Sequence, residues 1–125
     1  MGGRGMPWAR ARAVGDLGED LACAHLEELG WQVVARNWRC PLGELDVVAD
    51  EDGLLVFCEV KTRRSTRFGT PVEAVDGQKA RRLRRLAWAW LDEQGRSGAP
   101  FRIDVLGVLC AAGGPPQIQH VQGVA

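Results

Sequence analysis

The most restrictive feature of the sequence is FRIDVLGVLC, residues 101–110, which has no polar face along most of its length. A strand that alternates apolar and polar residues covers one face of a sheet, whereas a nearly continuous apolar strand is buried on both. The sheet that contains this strand must therefore be covered on both sides. Residues 14–125 give enough chain for one domain with one core. The sequence predicts a single α/β domain with helices on the faces of its sheet.

The first helix is predicted from its end signals. Asp16 as N-cap, Glu19 three residues later as its capping-box partner, and Gly30 as a C-terminal stop predict a helix over 16–29. Residues 1–13 are rich in Gly and Arg and have no apolar period, so a flexible basic arm is expected there.

Three strands are expected after this helix. The segment WQVVARNW, residues 31–38, is rich in β-forming residues. The segment GELDVVADEDGLLVFCEVKT, residues 43–62, contains two further strands, and the dipeptide Asp52-Gly53 is a strong hairpin-turn signal between them. The pattern predicts an antiparallel three-stranded meander.

A second helical region links the meander to the apolar strand. The segment TPVEAV, residues 70–75, has a Thr cap, a Pro at the first helical position and a capping-box Glu. The helix restarts at Asp76-Gly77 and continues to Gly95 with apolar residues three and four apart. Residues 117–124 form a weak last strand. The order is αβββαβ with this added strand, and the crossover helix makes the third and fourth strands parallel in a mixed sheet.

Charge and cysteine usage restrict the class of protein. Sixteen basic and sixteen acidic residues cancel, so no global field favours nucleic acid or a membrane. The four cysteines are far apart and lack a Cys-x-x-Cys pair, which argues against a zinc site. No apolar run is long enough to span a membrane, and no signal peptide is evident. A soluble protein in the reducing cytoplasm is expected.

The third strand carries charges where a buried strand is expected. In VFCEVKTRR, residues 56–64, Glu59 and Lys61 are two residues apart and therefore on one face. Counting outward from a two-residue turn, Asp46 faces Glu59 on the neighbouring strand. By the same register Glu44 faces Lys61, whereas a three-residue loop would move Asp46 to the other face.

Two facing carboxylates are unfavourable for stability but suitable for a cation. Opposed β-carbons on one sheet face are about 5 Å apart, and like charges there are destabilising. Mg²⁺ prefers hard oxygen ligands and usually accepts one or two carboxylates together with several waters. We therefore expect Asp46 and Glu59, with the backbone carbonyl of Val60, to hold Mg²⁺, for which Mn²⁺ is a substitute.

Two nearby charged residues each have two interpretations. Glu19 either reaches back to its own helix cap or points at the sheet and completes the metal site. Lys61 either positions the attacking water and offsets charge on a phosphate, or forms a cross-strand ion pair with Glu44 that contributes under about 1 kcal/mol. The acidic and basic surroundings favour the catalytic interpretation of Lys61.

A basic segment follows the charged strand. Residues 61–85 contain nine Lys or Arg and two acidic residues, a local net charge of +7 in a neutral protein. Clustered cations of this kind are typical of a surface that binds a phosphate backbone. The alternative is a solvated helix face, since arginine is a good helix former. The residues expected to contact DNA are Arg63, Arg64, Lys79, Arg81, Arg82 and Arg85.

Other conspicuous residues are expected to be structural. Tryptophans at strand and helix positions can stack on unpaired bases, but they belong more often to the core. Asp104 interrupts the apolar strand as a satisfied buried carboxylate or an ion pair at the sheet end. His25 and His120 lack a catalytic partner pattern. The tryptophans concerned are Trp31, Trp38, Trp88 and Trp90.

Five blocks of sequence together resemble the YraN family of small bacterial proteins: GEDLACAHLEELGW, ARNWRCPLGELDVVA, LVFCEVKTRR, FGTPVEAVDGQKARRL and FRIDVLGV. The resemblance covers about residues 14–124. That family is placed in the restriction-endonuclease-like PD-(D/E)xK superfamily and is similar to archaeal Holliday-junction resolvases. The resemblance implies a restriction-endonuclease-like αβββαβ core and, because resolvases of this kind usually act as dimers, a homodimer.

The resemblance also implies roles for individual residues. Asp46 matches the first acidic ligand, Glu59 and Lys61 match the Glu-x-Lys pair, and Glu19 matches the glutamate of the first helix. Lys79, or Gln78 beside it, stands where many such nucleases keep a supporting polar residue. Where the superfamily signature has proline, this sequence has Leu45.

Three hypotheses follow for the function. The first is a metal-dependent endonuclease that hydrolyses phosphodiester bonds of DNA, including branched or structured DNA. The second is a nucleic-acid-binding module on the same fold that does not cut. The third is a structural or partner-binding protein whose charges form surface ion pairs.

Overall fold

The structure, a computed structural model, describes residues 7–65, 75–111 and 113–124. Within these residues it has two helices and five strands. They are α1 (Pro7–Glu28), β1 (Gln32–Cys40), β2 (Gly43–Glu51), β3 (Leu54–Arg63), α2 (Gly77–Glu93), β4 (Phe101–Leu109) and β5 (Gln117–Val121).

The strands form one sheet in the order β1-β2-β3-β4-β5. Neighbouring strands are antiparallel, except that β3 and β4 are parallel as expected for a pair joined by a crossover helix. The predicted αβββαβ core with a mixed sheet flanked by helices is confirmed, and it is consistent with a restriction-endonuclease-like fold.

The β2–β3 hairpin has the register of a two-residue turn. Val47 lies opposite Cys58, and the pairing continues without a shift to the turn. Asp52 and Gly53 have φ values of 50° and 95°, and a type I′ turn needs positive φ at both central residues. The Asp50 carboxylate also accepts the Gly53 N–H at 2.6 Å. The predicted register is therefore confirmed.

Apolar side chains fill the space on both sides of the sheet. Strand β4 contributes to both layers, with Ile103 packed toward α2 and with Leu106 and Val108 packed toward α1. This explains why FRIDVLGVLC lacks a polar face. The layer under α1 includes Ala22, Leu26, Val47, Ala49, Val56 and Cys58, and the layer under α2 includes Val48, Leu55, Phe57, Leu83, Leu86 and Leu91.

Helix α1 begins earlier than predicted. It starts at Pro7, so Asp16 lies inside the helix and its predicted role as N-cap is wrong. Pro is favoured at the first helical position, and the alternating Ala and Arg residues after it are strong helix formers. The arm predicted over residues 1–13 is thus helical from residue 7, and residues 1–6 lie outside the described residues.

Helix α2 begins where its capping signal predicts. The Asp76 carboxylate accepts the Lys79 N–H at 2.9 Å, and the helix starts at Gly77. Of the helical stretch predicted over 70–75, residues 70–74 lie outside the described residues. Neither helix in the described part of the chain is both long and apolar enough to cross a membrane.

Candidate functional site

Strand β3 loses one neighbour before it ends. Its pairing with β4 continues to Arg63, whereas its pairing with β2 stops at Cys58. We call residues 59–63 the fork. In the fork the side chain of Asp46 takes the place of the missing backbone partner, because its Oδ2 accepts the Val60 N–H at 2.8 Å. The carboxylate of Asp46 is thereby fixed against β3.

Glu59 and Lys61 complete the charged cluster in the fork. Glu59 is buried, with 8% of its surface exposed. Its Oε2 lies 3.2 Å from the Nζ of Lys61, as two residues on one strand face allow. The alternative ion pair between Lys61 and Glu44 is wrong, because Glu44 instead bonds the Nε of Arg39 at 2.7 Å.

The two carboxyl groups of the fork perturb one another. The pKa of Asp46 is raised from 3.8 to about 7, chiefly because burial removes its charge from water and next because the charge of Glu59 is close. A hydrogen bond between the two carboxyl groups adds to the rise, and the bond from the Val60 N–H opposes it. The carboxyl groups of Asp46 and Glu59 therefore lie within hydrogen-bonding reach of each other, as the predicted register requires.

The donor set of the fork fits a hard divalent cation. Within the described residues no group of three or more His, Cys, Asp or Glu side chains is placed to hold a metal ion. Asp46 and Glu59 alone would supply the carboxylates, and Mg²⁺ usually takes one or two of these and retains water. A tetrahedral zinc site would need more nitrogen or sulfur ligands than these residues provide.

Glu19 lies next to the fork and points at the sheet. Helix α1 approaches β3 closely at Gly18, because glycine has no side chain. A β-carbon at this position would lie 2.0 Å from the Oγ1 of Thr62. Glu19 is 8% exposed, and its charge contributes to the raised pKa of Asp46. Its capping-box interpretation is wrong, because α1 begins at Pro7.

Strand β1 supplies two residues that the sequence did not indicate. Arg36 Nη2 and Asn37 Nδ2 donate to the Oε1 of Glu19 at 3.0 and 2.8 Å. Asn37 has a positive φ of 54°, and the register of β1 on β2 places it opposite Asp46. Asn is depleted in strands and enriched at positive φ. The Asn within WQVVARNW is therefore the signal that could have revealed this irregularity.

A basic groove lies at the start of α2. Helix α2 is the element that follows β3 along the chain. The groove has a volume of about 470 Å³. Its lining residues in the described part of the chain are Asp76, Gln78, Lys79, Arg81, Arg82 and Arg85.

The cations expected to contact DNA are mostly accessible. Arg63 and Arg64 are exposed at the end of β3, and Lys79 is half-buried. Arg81, Arg82 and Arg85 are exposed and form no ion pair with a carboxylate of the described residues.

Asp104 is a satisfied buried carboxylate, as one of its two interpretations predicts. It is fully buried and accepts hydrogen bonds from Arg102, at 2.8 and 3.1 Å, and from the Gly123 N–H. His120 Nε2 lies 2.8 Å from its Oδ2, and the other ring nitrogen of His120 lies 3.1 Å from His25. This network joins α1, β4 and β5.

The tryptophans differ in their environments. Trp31 and Trp90 are buried in the core as predicted. Trp38 packs against the layer under α2 and donates to Glu93 at 3.0 Å. Trp88 is 49% exposed, so its predicted place in the core is wrong. Its helix position lies outside the apolar stripe.

Comparison with known proteins gives a consistent result. The model of the uncharacterised protein family UPF0102 matches residues 18–108. A UPF0102 protein of Mycobacterium sp. (strain JLS) is 52% identical over 120 residues, covering 94% of this chain and 88% of that protein. A UPF0102 protein of Streptomyces griseus is 53% identical over 116 residues, and one of Frankia casuarinae is 49% identical over 111 residues. These two alignments cover 90% and 89% of this chain and 96% and 94% of the relatives.

Proposed function

The chain belongs to the uncharacterised protein family UPF0102, the YraN family that its sequence blocks resemble, and we propose that it is a metal-dependent endonuclease that hydrolyses DNA. The observation that carries the proposal is the fork, where the carboxyl groups of Asp46 and Glu59 lie close together beside the ammonium of Lys61. Branched or otherwise structured DNA is the proposed substrate class.

A divalent cation would replace the proton that the raised pKa of Asp46 retains. Asp46 and Glu59, with the carbonyl of Val60, would hold Mg²⁺ or Mn²⁺. Both carboxyl groups could then be ionised without mutual repulsion. When bound, the cation supplies a water of lowered pKa and offsets charge on the phosphate. The Val60 N–H keeps Asp46 in place for this binding because it fixes Oδ2.

Lys61 is suited to a role in the transition state. Its Nζ is held 3.2 Å from Glu59 Oε2 and its side chain is 22% exposed, so the ammonium is positioned but still reachable by substrate. An ammonium at this place can orient the attacking water and stabilise charge that grows on the phosphate. Glu19 lies on α1 next to the fork, and its negative charge contributes to the raised pKa of Asp46.

The basic residues would position the DNA backbone. Contacts to phosphates fix the register of a protein on DNA without reading sequence. Arg63 ends the fork and Arg64 follows it directly along the chain, so a strand bound to them would pass close to the carboxylates. The basic groove would hold phosphates further along the same strand. The residues proposed to bind phosphates are Arg63, Arg64, Lys79, Arg81, Arg82 and Arg85.

Cleavage of labelled DNA tests the proposal. Purified protein is incubated with a four-way junction or a matched linear duplex in Mg²⁺, Mn²⁺ or EDTA. We expect cut products only with a metal, and a loss of roughly 100-fold in rate for Lys61→Ala. Glu59→Gln should also be inactive, whereas Glu44→Gln, which alters a partly exposed carboxylate outside the fork, should cut normally.

Two results would contradict hydrolysis. Binding of the junction without any metal-dependent cutting would favour the non-catalytic binding module, for which the exposed arginines of α2 would be sufficient. Cutting that survives Glu59→Gln would place the activity outside the fork.

A further inference from the structure

Helix α2 carries two tryptophans with different environments. Trp90 packs edge-to-face on Phe57, with ring centroids 5.7 Å apart, and is 6% exposed. Trp88 is 49% exposed and makes no ring contact or hydrogen bond within the described residues. Trp88 thus lies on the face turned away from the sheet. The residues of α2 that face the sheet are Leu83, Leu86, Ala87, Trp90 and Leu91.

Arginines surround the exposed indole. Residues three and four apart are neighbours on a helix surface, so Trp88 lies beside Arg84 and Arg85, and Arg81 continues the row one turn earlier. None of these three arginines is paired with a carboxylate of the described residues. Arg81 and Arg85 also line the groove at the start of α2. The row of arginines therefore connects the basic groove at the start of α2 with the indole of Trp88.

The charge of this row indicates what covers Trp88. A second copy of the chain docked symmetrically here would bring the same arginines against one another, and like charges across an interface are unfavourable. A nucleic-acid strand presents phosphates to the guanidinium groups and bases to the indole. Bases of an intact duplex are already stacked, so an indole can stack only on a base that is unpaired.

We propose that Trp88 stacks on an unpaired base of a DNA strand whose phosphates occupy the groove. Arg85 lies beside Trp88 and Arg81 lies one turn earlier, and both would contact the phosphates of this strand. This inference rests on the proposed function for the presence of DNA, and it specifies the substrate as DNA with unpaired nucleotides. Stacking of this kind tolerates any base, because every base has a π face. The protein would therefore select strand structure and not sequence.

Equilibrium binding without metal tests the stacking. Fluorescence anisotropy is measured in EDTA with a labelled single-stranded oligonucleotide and with the same strand in a duplex. We expect Trp88→Ala to weaken single-strand binding about 5- to 100-fold and duplex binding less than about 2-fold. Trp88→Phe keeps an aromatic face and should restore most of the loss. Leu29→Ala, which shortens another exposed apolar side chain, should bind both as the wild type does.

Three results would overturn the stacking proposal. The first is an equal loss of single-strand and duplex binding in Trp88→Ala. The second is no loss in either. The third, seen by light scattering, is a dimer that Trp88→Ala converts to monomer, because the indole would then belong to a self-interface. The binding assay contains no metal and is therefore independent of the cleavage assay. A protein that does not cut DNA can still show the stacking, and a protein without the stacking can still cut DNA.

Discussion

Replacing Asp46 by Asn should stabilise the metal-free protein at alkaline pH. The native state holds Asp46 protonated up to a pKa of about 7, whereas the unfolded chain releases this proton near 3.8. Between these values the native state binds more protons than the unfolded state, so stability falls as pH rises through this window. The neutral amide of Asp46→Asn has no such penalty and can still accept the Val60 N–H.

The size of the effect follows from the raised pKa. Each unit of pKa difference corresponds to about 1.4 kcal/mol. Between pH 5 and pH 8 the wild type should therefore lose ~3 kcal/mol that Asp46→Asn retains, and the loss changes little above pH 8. For a domain of this size ~3 kcal/mol corresponds to a difference of roughly 10 °C in Tm.

Urea and thermal unfolding in EDTA at pH 5 and pH 8 measure this difference. The effect of Asp46→Asn on the free energy of unfolding is compared between the two pH values. Groups that titrate in both proteins contribute equally and cancel in this comparison. Glu44→Gln serves as the control, because Glu44 is paired with the exposed Arg39 and should change stability by under about 1 kcal/mol at either pH. If Asp46→Asn changes stability equally at pH 5 and pH 8, the pKa of Asp46 is not raised in the native state.

Three further outcomes are expected. At pH 8, Mg²⁺ should raise the Tm of the wild type and leave that of Asp46→Asn unchanged, because a ligand stabilises only the state that binds it. Equal shifts in Tm would show that the cation does not bind at the fork. Gly18→Ala should lower the free energy of unfolding by about 1–3 kcal/mol, since its β-carbon would overlap Thr62; an unchanged urea midpoint would contradict this close packing. His120→Ala should cost about 1–3 kcal/mol in urea unfolding by removing a donor from the buried Asp104; full stability would mean that water replaces the imidazole.

Local chemistry made the hairpin and the charged face of β3 predictable. The Asp52-Gly53 turn fixes the register, and the register determines which side chains face each other, so Asp46 could be placed opposite Glu59 from the sequence alone. The capping residue Asp76 likewise fixes the start of α2. These predictions depend on interactions within a few residues of the chain.

Longer-range contacts explain what the sequence could not show. The sequence left two interpretations of Glu19 open, and its direction is set by the packing of Gly18 on Thr62 and by the hydrogen bonds from Arg36 and Asn37. The bond from Asn37 to Glu19 joins residues that are far apart in sequence. Tryptophan is usually a core residue, and the exposure of Trp88 depends on which face of α2 packs on the sheet.

The fork has a consequence for how members of this family can diverge. Since β4 pairs with β3 through Arg63 and α1 packs on β3 at Thr62, the backbone around Lys61 needs no strand pairing with β2. The exposed connection between β1 and β2, which contains Leu42, can therefore lengthen or change sequence without displacing the ammonium. Under the proposed function, new contacts to different DNA shapes could arise in that connection while the residues of the fork stay in place.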